Sequence, residues 1–327
     1  MQLTENLRAV PFRKISLAKS APVLFLIVLI AFYAIIARNF LQFDNFLNIL
    51  RQIAITGTMA MGVTLVILLG EIDLSIGTVM AFSGMIVSGL STGKYFGMSP
   101  MPVGAAILLT VVAGSMIGLL SGLACAKLRI PGFMVTLAMQ FICTGLMLML
   151  TDAKPIFGLP DQLTFWGKGY IFNIIPTIVV VFGFVFFISL MILKHTVFGR
   201  NLYAIGGNME SSRLAGINVV KYKTIAFMIC SALCALAGVL MVGRIGSGQV
   251  TAGDNLQMLP IAGAVLGGTS LMGGKGTMFG TLLGILIMGI LVNGLNLMGA
   301  GSEIQKVVTG LVLFAAVAFN IWSSKKK

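Results

Sequence analysis

One polar run interrupts a chain that is otherwise almost wholly apolar: residues 199–218 read GRNLYAIGGNMESSRLAGIN. Polar connections between membrane spans are usually irregular, but this one carries the pattern of a short helix. Asn208 is a favourable N-terminal cap, and glycines lie on both sides of the segment Met209 to Ala215. The run therefore predicts an ordered helix between two apolar segments, on a surface suited to docking another molecule.

The composition of the chain is that of a membrane protein. Hydrophobic residues make up 58% of the 327 residues, and charged residues make up 9%. A soluble domain carries about 25% charged residues, so this chain has too little polar surface to be solvated on all sides. The net charge of +13 is spread between apolar runs rather than gathered on one face. That distribution favours membrane topology and excludes nucleic acid as a partner.

The apolar runs predict an all-α integral membrane protein with about ten transmembrane helices. The predicted spans lie near residues 21–37, 53–70, 76–90, 101–125, 130–150, 173–193, 224–243, 256–273, 278–299 and 304–321. A crossing needs about 20 residues, so the third span is short and the fourth is long enough to tilt. The first run follows basic residues as in a signal peptide. No Ala-x-Ala site closes it, and we therefore expect an uncleaved anchor.

The positions of Lys and Arg predict the orientation. With the N-terminus inside, 15 of the 22 cations fall on the cytoplasmic side, and the positive-inside rule then places both termini in the cytoplasm. These cations are Arg8, Arg13, Lys14, Lys19, Lys127, Arg129, Lys194, Arg200, Arg213, Lys221, Lys223, Lys275 and Lys325 to Lys327. Apart from the cytoplasmic loop 194–223, every connection is shorter than about 25 residues. We therefore expect residues 1–327 to form a single transmembrane domain.

Two acidic residues interrupt the apolar pattern between the second and third spans, where residues 70–77 read GEIDLSIG. A carboxylate in the hydrocarbon core costs about 2.5–3.5 kcal/mol, so Glu71 and Asp73 should contact water or protein. One interpretation is a broken helix or re-entrant turn near a translocation pathway, in which Asp73 or Ser75 caps the next half-helix. The other is a tight cytoplasmic turn with two solvated acids. The residues alone favour neither.

A glycine-rich run at residues 267–277, GGTSLMGGKGT, invites comparison with a phosphate-binding loop. The pattern fails, because Thr269 stands where the first glycine belongs and Gly276 follows Lys275 where Ser or Thr is required. No predicted strand precedes the run. We therefore expect this chain to bind no ATP, and we expect a second broken or tightly turned membrane segment here.

Small and polar residues on the spans predict helix contacts. Asn293 and Asn296 lie three apart on the ninth span and so share a face, where they can bond a neighbouring helix or contact a polyol in the pathway. Glycines spaced by four residues allow helix backbones to approach closely. They are Gly114, Gly118 and Gly122 on the fourth span, and the pairs Gly263/Gly267 and Gly280/Gly284.

Catalytic and metal-binding patterns are not indicated. The single histidine, His195, stands at the predicted end of the sixth span, with no nucleophile or second histidine at motif spacing. It is expected to be a solvated residue near the membrane surface. The four cysteines lie inside apolar runs, where packing explains them better than metal binding. They are Cys125, Cys143, Cys230 and Cys234.

The chain resembles, over nearly its whole length, the ribose-type permease subunits of bacterial ABC importers for simple sugars. The resemblance is carried by residues 61–68, MGVTLVIL, by GEIDLSIG at 70–77, by the polar run 199–218 and by residues 266–277. One difference concerns Glu71, where the family usually has a second glycine, so that Glu71→Gly is expected to be tolerated better than Asp73→Ala. Ser211 and Ser212 replace residues that are commonly alanine.

The resemblance implies a permease of the vitamin-B12-importer type in the bacterial cytoplasmic membrane. It would pair with a second copy or a homologous permease within the lipid bilayer. ABC ATPase subunits would dock on the cytoplasmic side and supply ATP and Mg²⁺, and an extracytoplasmic sugar-binding protein would deliver a monosaccharide. Helix 209–215 would be the coupling helix, and the matching interface residues are Gly199, Asn208, Glu210, Arg213 and Gly216.

Two other functions fit part of the pattern. A branched-chain amino-acid ABC permease shares the general architecture. An ion-coupled secondary transporter could use Glu71 and Asp73 as proton or sodium sites. Such a carrier has no need of an ordered docking helix, and co-purification of an ATPase separates the two possibilities.

Overall fold

The computed structural model describes residues 17–94 and 97–325, and helices form most of them. The helices are α1 (Leu17–Ile36), α2 (Phe43–Leu68), α3 (Ile76–Thr92), α4 (Val103–Lys127), α5 (Gly132–Thr151), α6 (Asp161–Lys168), α7 (Thr177–His195), α8 (Val197–Gly207), α9 (Met209–Leu214), α10 (Val219–Ile245), α11 (Met258–Leu266), α12 (Met278–Leu297) and α13 (Ser302–Lys325). A two-residue antiparallel hairpin, β1 (Tyr170–Ile171) and β2 (Ile175–Pro176), precedes α7. Arg8, Arg13, Lys14, Lys326 and Lys327, which carry part of the orientation argument, lie outside the described residues.

Six of these helices are long and apolar enough to cross a membrane: α2, α4, α5, α7, α10 and α12. Two shorter apolar stretches, Pro22–Ile36 within α1 and the whole of α3, add to them. The prediction of an all-α membrane protein is therefore confirmed, and the count of ten spans stays a prediction.

The eighth predicted span, residues 256–273, is wrong as a continuous helix. Only Met258–Leu266 is helical, and the chain then turns, with Gly268 and Gly273 at φ of 90° and 83°. Left-handed conformations suit glycine, because a Cβ atom would crowd the residue's own backbone. Gly268, two residues after Leu266, therefore ends α11, and Gly273 continues the turn. The prediction of a tightly turned segment at 267–277 is confirmed.

A second correction concerns the first half of the polar run. The sequence predicts residues 199–207 only as connecting chain, but in the structure they belong to α8, and α9 follows after Asn208. Two other elements are additions to the predicted pattern. Helix α2 begins at Phe43, ten residues before the predicted span, and α6 with the β1–β2 hairpin fills the connection before α7.

Helices α2 and α10 form the centre of the bundle. Every residue from 53 to 69 is buried, and α10 packs against α2, α3, α4 and α6. A helix that is surrounded by others has no face for water, which explains why α2 carries no charged residue over this stretch and why its threonine hydroxyls bond to carbonyl oxygens of the same helix. Helices α4 and α5 lie further out and expose large apolar side chains such as Leu108, Leu120 and Phe141, as expected for surfaces covered in the membrane.

The predicted glycine contacts are confirmed. A Cβ atom added at Gly118 would lie 2.8 Å from Met228 Cα, and one added at Gly122 would lie 2.7 Å from Thr224 Cα. Helices α4 and α10 therefore touch through their backbones, which is how membrane helices gain close packing without a hydrophobic driving force. Helices α11 and α12 meet in the same way, since a Cβ at Gly284 would lie 2.8 Å from Gly267 N.

Candidate functional site

The α8–α9 segment, residues 197–214, is built by local capping. The Gly199 N–H donates to Thr196 Oγ1 at 3.2 Å at the start of α8, and the Ser211 N–H donates to Asn208 Oδ1 at 2.9 Å at the start of α9. Gly216, at φ of 80°, ends α9, and its N–H donates to the Arg213 carbonyl oxygen at 2.9 Å. The predicted helix and its Asn208 cap are thus confirmed, with α9 ending at Leu214.

The α8–α9 segment has an inner and an outer face. Leu202, Ile205 and Ser212 are buried against the bundle. Four of the five predicted interface residues are exposed, namely Asn208, Glu210, Arg213 and Gly216, and Leu214 is exposed beside them. Arg213 lies 3.6 Å from Glu210 in a solvent-exposed ion pair, which contributes only about 0–1 kcal/mol and leaves the guanidinium free to change partner.

Gly199, the fifth predicted interface residue, is buried rather than exposed. A Cβ atom added there would lie 2.7 Å from Leu193 Cα, near the end of α7. The missing side chain lets α8 fold back directly against α7. Gly199 therefore positions the segment and does not form part of its outer face.

The three motifs found in the sequence meet at one glycine junction, formed by Gly70, Gly206, Gly207, Gly273 and Gly274. A Cβ atom on Gly273 would lie 2.8 Å from Gly70 N, and one on Gly274 would lie 2.9 Å from Gly207 Cα. The Gly274 N–H donates to the Leu68 carbonyl oxygen at 2.9 Å, which satisfies one of the free carbonyls at the end of α2. The end of α2, the end of α8 and the 267–277 turn are therefore in backbone contact.

A tyrosine adds a second link between α8 and the 267–277 turn. The Tyr203 hydroxyl donates to the Gly276 carbonyl oxygen at 2.7 Å. Burial raises the pKa of Tyr203, so the hydroxyl stays protonated at neutral pH and remains a donor. Backbone contact at the glycines and this side-chain bond together hold α8 on the turn.

Glu71 joins three segments. Its Oε2 accepts the Gly132 N–H at 2.8 Å at the start of α5, and its Oε1 forms an ion pair with Lys223 Nζ of α10. The side chains of Lys223 and Glu71 are only 6% and 15% exposed. A carboxylate at a helix N-terminus is favourable, because it meets free N–H groups and the positive end of the helix dipole.

Asp73 folds back on the chain two residues ahead. Its Oδ1 accepts the Ser75 N–H at 2.9 Å and the Ser75 hydroxyl at 2.6 Å, while its Oδ2 has no partner within the described structure. Asp73 is fully buried and Ser75 nearly so. The prediction that one of them caps α3 is wrong, because neither side chain accepts a bond from that helix. The interpretation as a turn with two solvated acids is also wrong.

The 70–75 connection is fixed to α5 at a second point. The Leu74 N–H donates to the Thr136 hydroxyl oxygen at 3.0 Å, one helical turn along α5 from Gly132. Residues 71–75 have no regular secondary structure, so α2 and α3 are separated by an irregular, buried segment. That geometry agrees with the broken-helix interpretation.

We predict that Asp73→Ala destabilises the protein and that Asp73→Asn does so much less. Alanine leaves the buried Ser75 N–H and hydroxyl without an acceptor, which costs about 1–3 kcal/mol. Asparagine keeps an acceptor oxygen for the Ser75 N–H and hydroxyl at nearly the same position. The thermal unfolding midpoint of the purified permease in detergent measures the difference. Equal midpoints for the two variants would contradict this role of Asp73.

The two asparagines of α12 bond neighbouring helices at the opposite end of the bundle from α9. The side-chain amides of Asn293 and of Asn45 in α2 form two hydrogen bonds with each other, 3.1 and 2.8 Å long, and both side chains are buried. Asn296 Oδ1 accepts from Gln305 Nε2 of α13 at 2.7 Å. Of the two interpretations from the sequence, interhelical bonding describes both residues, and the structure does not bring them to the glycine junction.

A cleft of about 410 Å³ opens beside α9. It lies between the α4–α5 turn, α9 and the start of α10, and its walls include Glu71, Arg129, Met209, Arg213 and Lys223. The exposed arginines give the mouth a positive charge suited to a carboxylate or phosphate group. Elsewhere in the described residues, no three His, Cys, Asp or Glu side chains are grouped so as to hold a metal ion.

Sequence reasoning missed the partners of Glu71. The sequence predicts Lys223 only as a cytoplasmic cation, yet this residue borders the apolar run that begins at residue 224. A cation at such a border is a candidate partner for a buried acid, which is the signal that could have identified it. Nothing in the sequence marks Gly132 and Thr136 as partners of residues 71–74, because almost every residue has a backbone N–H and threonines are common in helices.

Residues 45–317 match the family described as branched-chain amino acid transport system / permease component. The chain is 42% identical over 305 residues to the ribose import permease protein of Bacillus subtilis, and the match covers 92% of each chain. It is 34% identical over 317 residues to the fructose import permease protein of Rhizobium meliloti, which covers 94% of this chain and 86% of the relative. It is 31% identical over 361 residues to the xylose transport system permease protein of Haemophilus influenzae, which covers 92% and 95%. No solved structure matches the chain significantly.

Proposed function

Because the chain belongs to the family described as branched-chain amino acid transport system / permease component, we propose that it is the membrane-spanning permease subunit of an ATP-driven importer for a monosaccharide. The family description includes branched-chain amino acids, which keeps an amino-acid permease as the alternative. The similar proteins are named for ribose, fructose and xylose, and these names favour a sugar. ATP hydrolysis takes place on a separate ATPase subunit.

The main support for this proposal is the position of the α8–α9 segment at the surface of the helix bundle. It exposes Glu210, Arg213 and Leu214, and its inner side is in backbone contact with the end of α2 and with the 267–277 turn. An exposed docking face on a rigidly attached helix can pass a displacement to membrane-spanning helices. We propose that α9 is the coupling helix and that Asn208, Glu210, Arg213 and Gly216 lie at the ATPase interface, with Gly199 and the glycine junction positioning them.

The proposed architecture is a vitamin-B12-importer-type permease of ten crossings in the bacterial cytoplasmic membrane. Residues 1–327 form its single transmembrane domain, with loop 194–223 and both termini in the cytoplasm. The 15-to-7 division of Lys and Arg supports this orientation. The assembly pairs two permeases around the pathway, with ATPase subunits below and a sugar-binding protein above.

The orientation predicts the side on which introduced cysteines react. Ser324→Cys should be labelled by a membrane-impermeant thiol reagent only after the cells are opened, and Gln162→Cys on α6 should be labelled in intact cells. The four native cysteines are buried, so they add little background. Labelling of Ser324→Cys in intact cells would contradict a cytoplasmic C-terminus.

Reconstitution tests the function itself. The wild-type permease, co-expressed with its cognate ABC ATPase subunit, should co-purify with that subunit and take up a monosaccharide into liposomes only with ATP and the binding protein present. Uptake by this chain alone, driven by a proton or sodium gradient, would establish a secondary transporter instead. Uptake of leucine or valine, but of no sugar, would establish the amino-acid alternative.

A further inference from the structure

We propose that the Glu71–Lys223 ion pair is a positioning element that links α10 to the N-terminus of α5 and so passes displacement of α9 to α5. The ion pair would connect these two helices through a polar contact, and this connection would be separate from the glycine junction. This inference rests on the proposed function, because it requires an ATPase that moves α9. Glu71 and Lys223 lie outside the docking face, and they provide a second route from that face into the bundle.

The geometry places one carboxylate between two helices. Glu71 Oε1 pairs with Lys223 Nζ of α10, and Oε2 accepts the Gly132 N–H, the first of α5, at 2.8 Å. Lys223 lies in the second turn of α10, the helix that directly follows α9. The Leu74 N–H bond to Thr136, 3.0 Å long, holds the residues after Glu71 against α5. The Glu71 segment therefore belongs with α5, and Lys223 is the group through which α10 reaches it.

The burial of the pair makes it a specific contact. Both side chains are largely withdrawn from solvent, where an unpaired charge is strongly unfavourable. The pair therefore favours one relative placement of α10 and α5 over arrangements that separate the charges. A buried charge pair need not add net stability, since an apolar pair of similar size often stabilises as well. What this pair adds is a preference for one arrangement of the two helices.

The cleft beside α9 brings the pair next to the docking face. Glu71 and Lys223 line the same cleft as Met209 and Arg213 of α9. A shift of α9 or of the first turns of α10 therefore changes the surroundings of the ion pair directly. The route runs from α9 to Lys223, then to Glu71, and from Glu71 to the start of α5.

Two neutral substitutions, alone and together, separate positioning from stability. In the reconstituted importer we compare Lys223→Met, Glu71→Gln, the double variant and Lys223→Arg, measuring thermal stability and sugar taken up per ATP hydrolysed. Each single neutral variant leaves one buried group without its partner and should lower both quantities. The double variant has no unpaired charge and should regain wild-type stability, yet its uptake per ATP should stay about tenfold below wild type. Lys223→Arg keeps the charge and should remain coupled.

The outcomes are distinguishable from failure of the proposed function. If the wild-type chain binds no ATPase or takes up no sugar, the proposed function fails before any variant is compared. If the wild type works and the double variant couples like it, the pair is structural and the positioning role is overturned. Failure of the double variant to accumulate in the membrane also overturns it, because the pair would then be required for folding.

Discussion

Arg213→Glu is expected to abolish sugar uptake while the permease accumulates normally in the membrane. Arg213 lies on the exposed face of α9, and its guanidinium can form two parallel hydrogen bonds to a carboxylate on a partner. Its contact within the described chain is the exposed ion pair with Glu210, so folding does not depend on it. Reversal of the charge removes this donor and would repel a carboxylate on the partner, so it should prevent ATPase binding.

The measurements are membrane abundance, co-purification of the ATPase and uptake. Lys221→Glu provides a matched control, because it makes the same change in charge at an exposed residue in the first turn of α10. There a new carboxylate suits the helix N-terminus. Lys221→Glu should retain uptake, and Arg213→Lys should retain part of it. If Arg213→Glu fails to accumulate, α9 is a structural element; if it transports normally, Arg213 does not belong to the coupling interface.

Local signals in the sequence were sufficient for the α9 helix. Asn208 and Gly216 each form a hydrogen bond with a residue three positions away in the sequence. Both ends of α9 could therefore be predicted without knowing the rest of the fold. The small-residue spacing of α4 was equally informative. A glycine on every turn of a membrane helix has few purposes other than close approach to a neighbour.

Helix α8 could not be predicted from the same kind of signal. It contains Gly199, Gly206 and Gly207, and each glycine costs a helix about 1 kcal/mol relative to alanine. The helix is stabilised by burial of Leu202 and Ile205, and Gly199 and Gly206 allow the close approach to its neighbours on which that burial depends. Those facts depend on α7, on α2 and on the 267–277 turn, which are distant in sequence.

The candidate site was predicted as a set of motifs but not as an assembly. Nothing in residues 70–77, 199–218 or 267–277 indicates that their glycines touch. The partner of Glu71 is equally hidden, because 152 residues separate it from Lys223. The expectation that Glu71→Gly is tolerated rested on the resemblance alone. The structure adds a reason against it, since glycine would leave Lys223 buried without its carboxylate.

Gly206→Ala is expected to damage the glycine junction and to reduce uptake by at least about tenfold. An added Cβ atom would overlap the Leu68 carbonyl oxygen and would lie 2.5 Å from Gly274 N. Both obstacles are backbone atoms joined by a hydrogen bond, so they cannot move aside like the end of a flexible side chain. Overpacking of this kind costs about 1–3 kcal/mol. The strain can be relieved only if α8 separates from α2 and from the 267–277 turn.

The adjacent glycine provides the control. Gly207 is the last residue of α8, and a Cβ atom added there meets nothing within 4 Å. Gly207→Ala makes the same chemical change one residue along, so it should keep wild-type stability, ATPase binding and uptake. Gly206→Ala should still bind the ATPase through the outer face of α9 while losing uptake, because docking and transmission depend on opposite sides of the α8–α9 segment. If Gly206→Ala takes up sugar as well as Gly207→Ala and the wild type do, the contact between α8 and α2 carries no coupling, and the Glu71–Lys223 pair remains as the connection from α9 into the bundle.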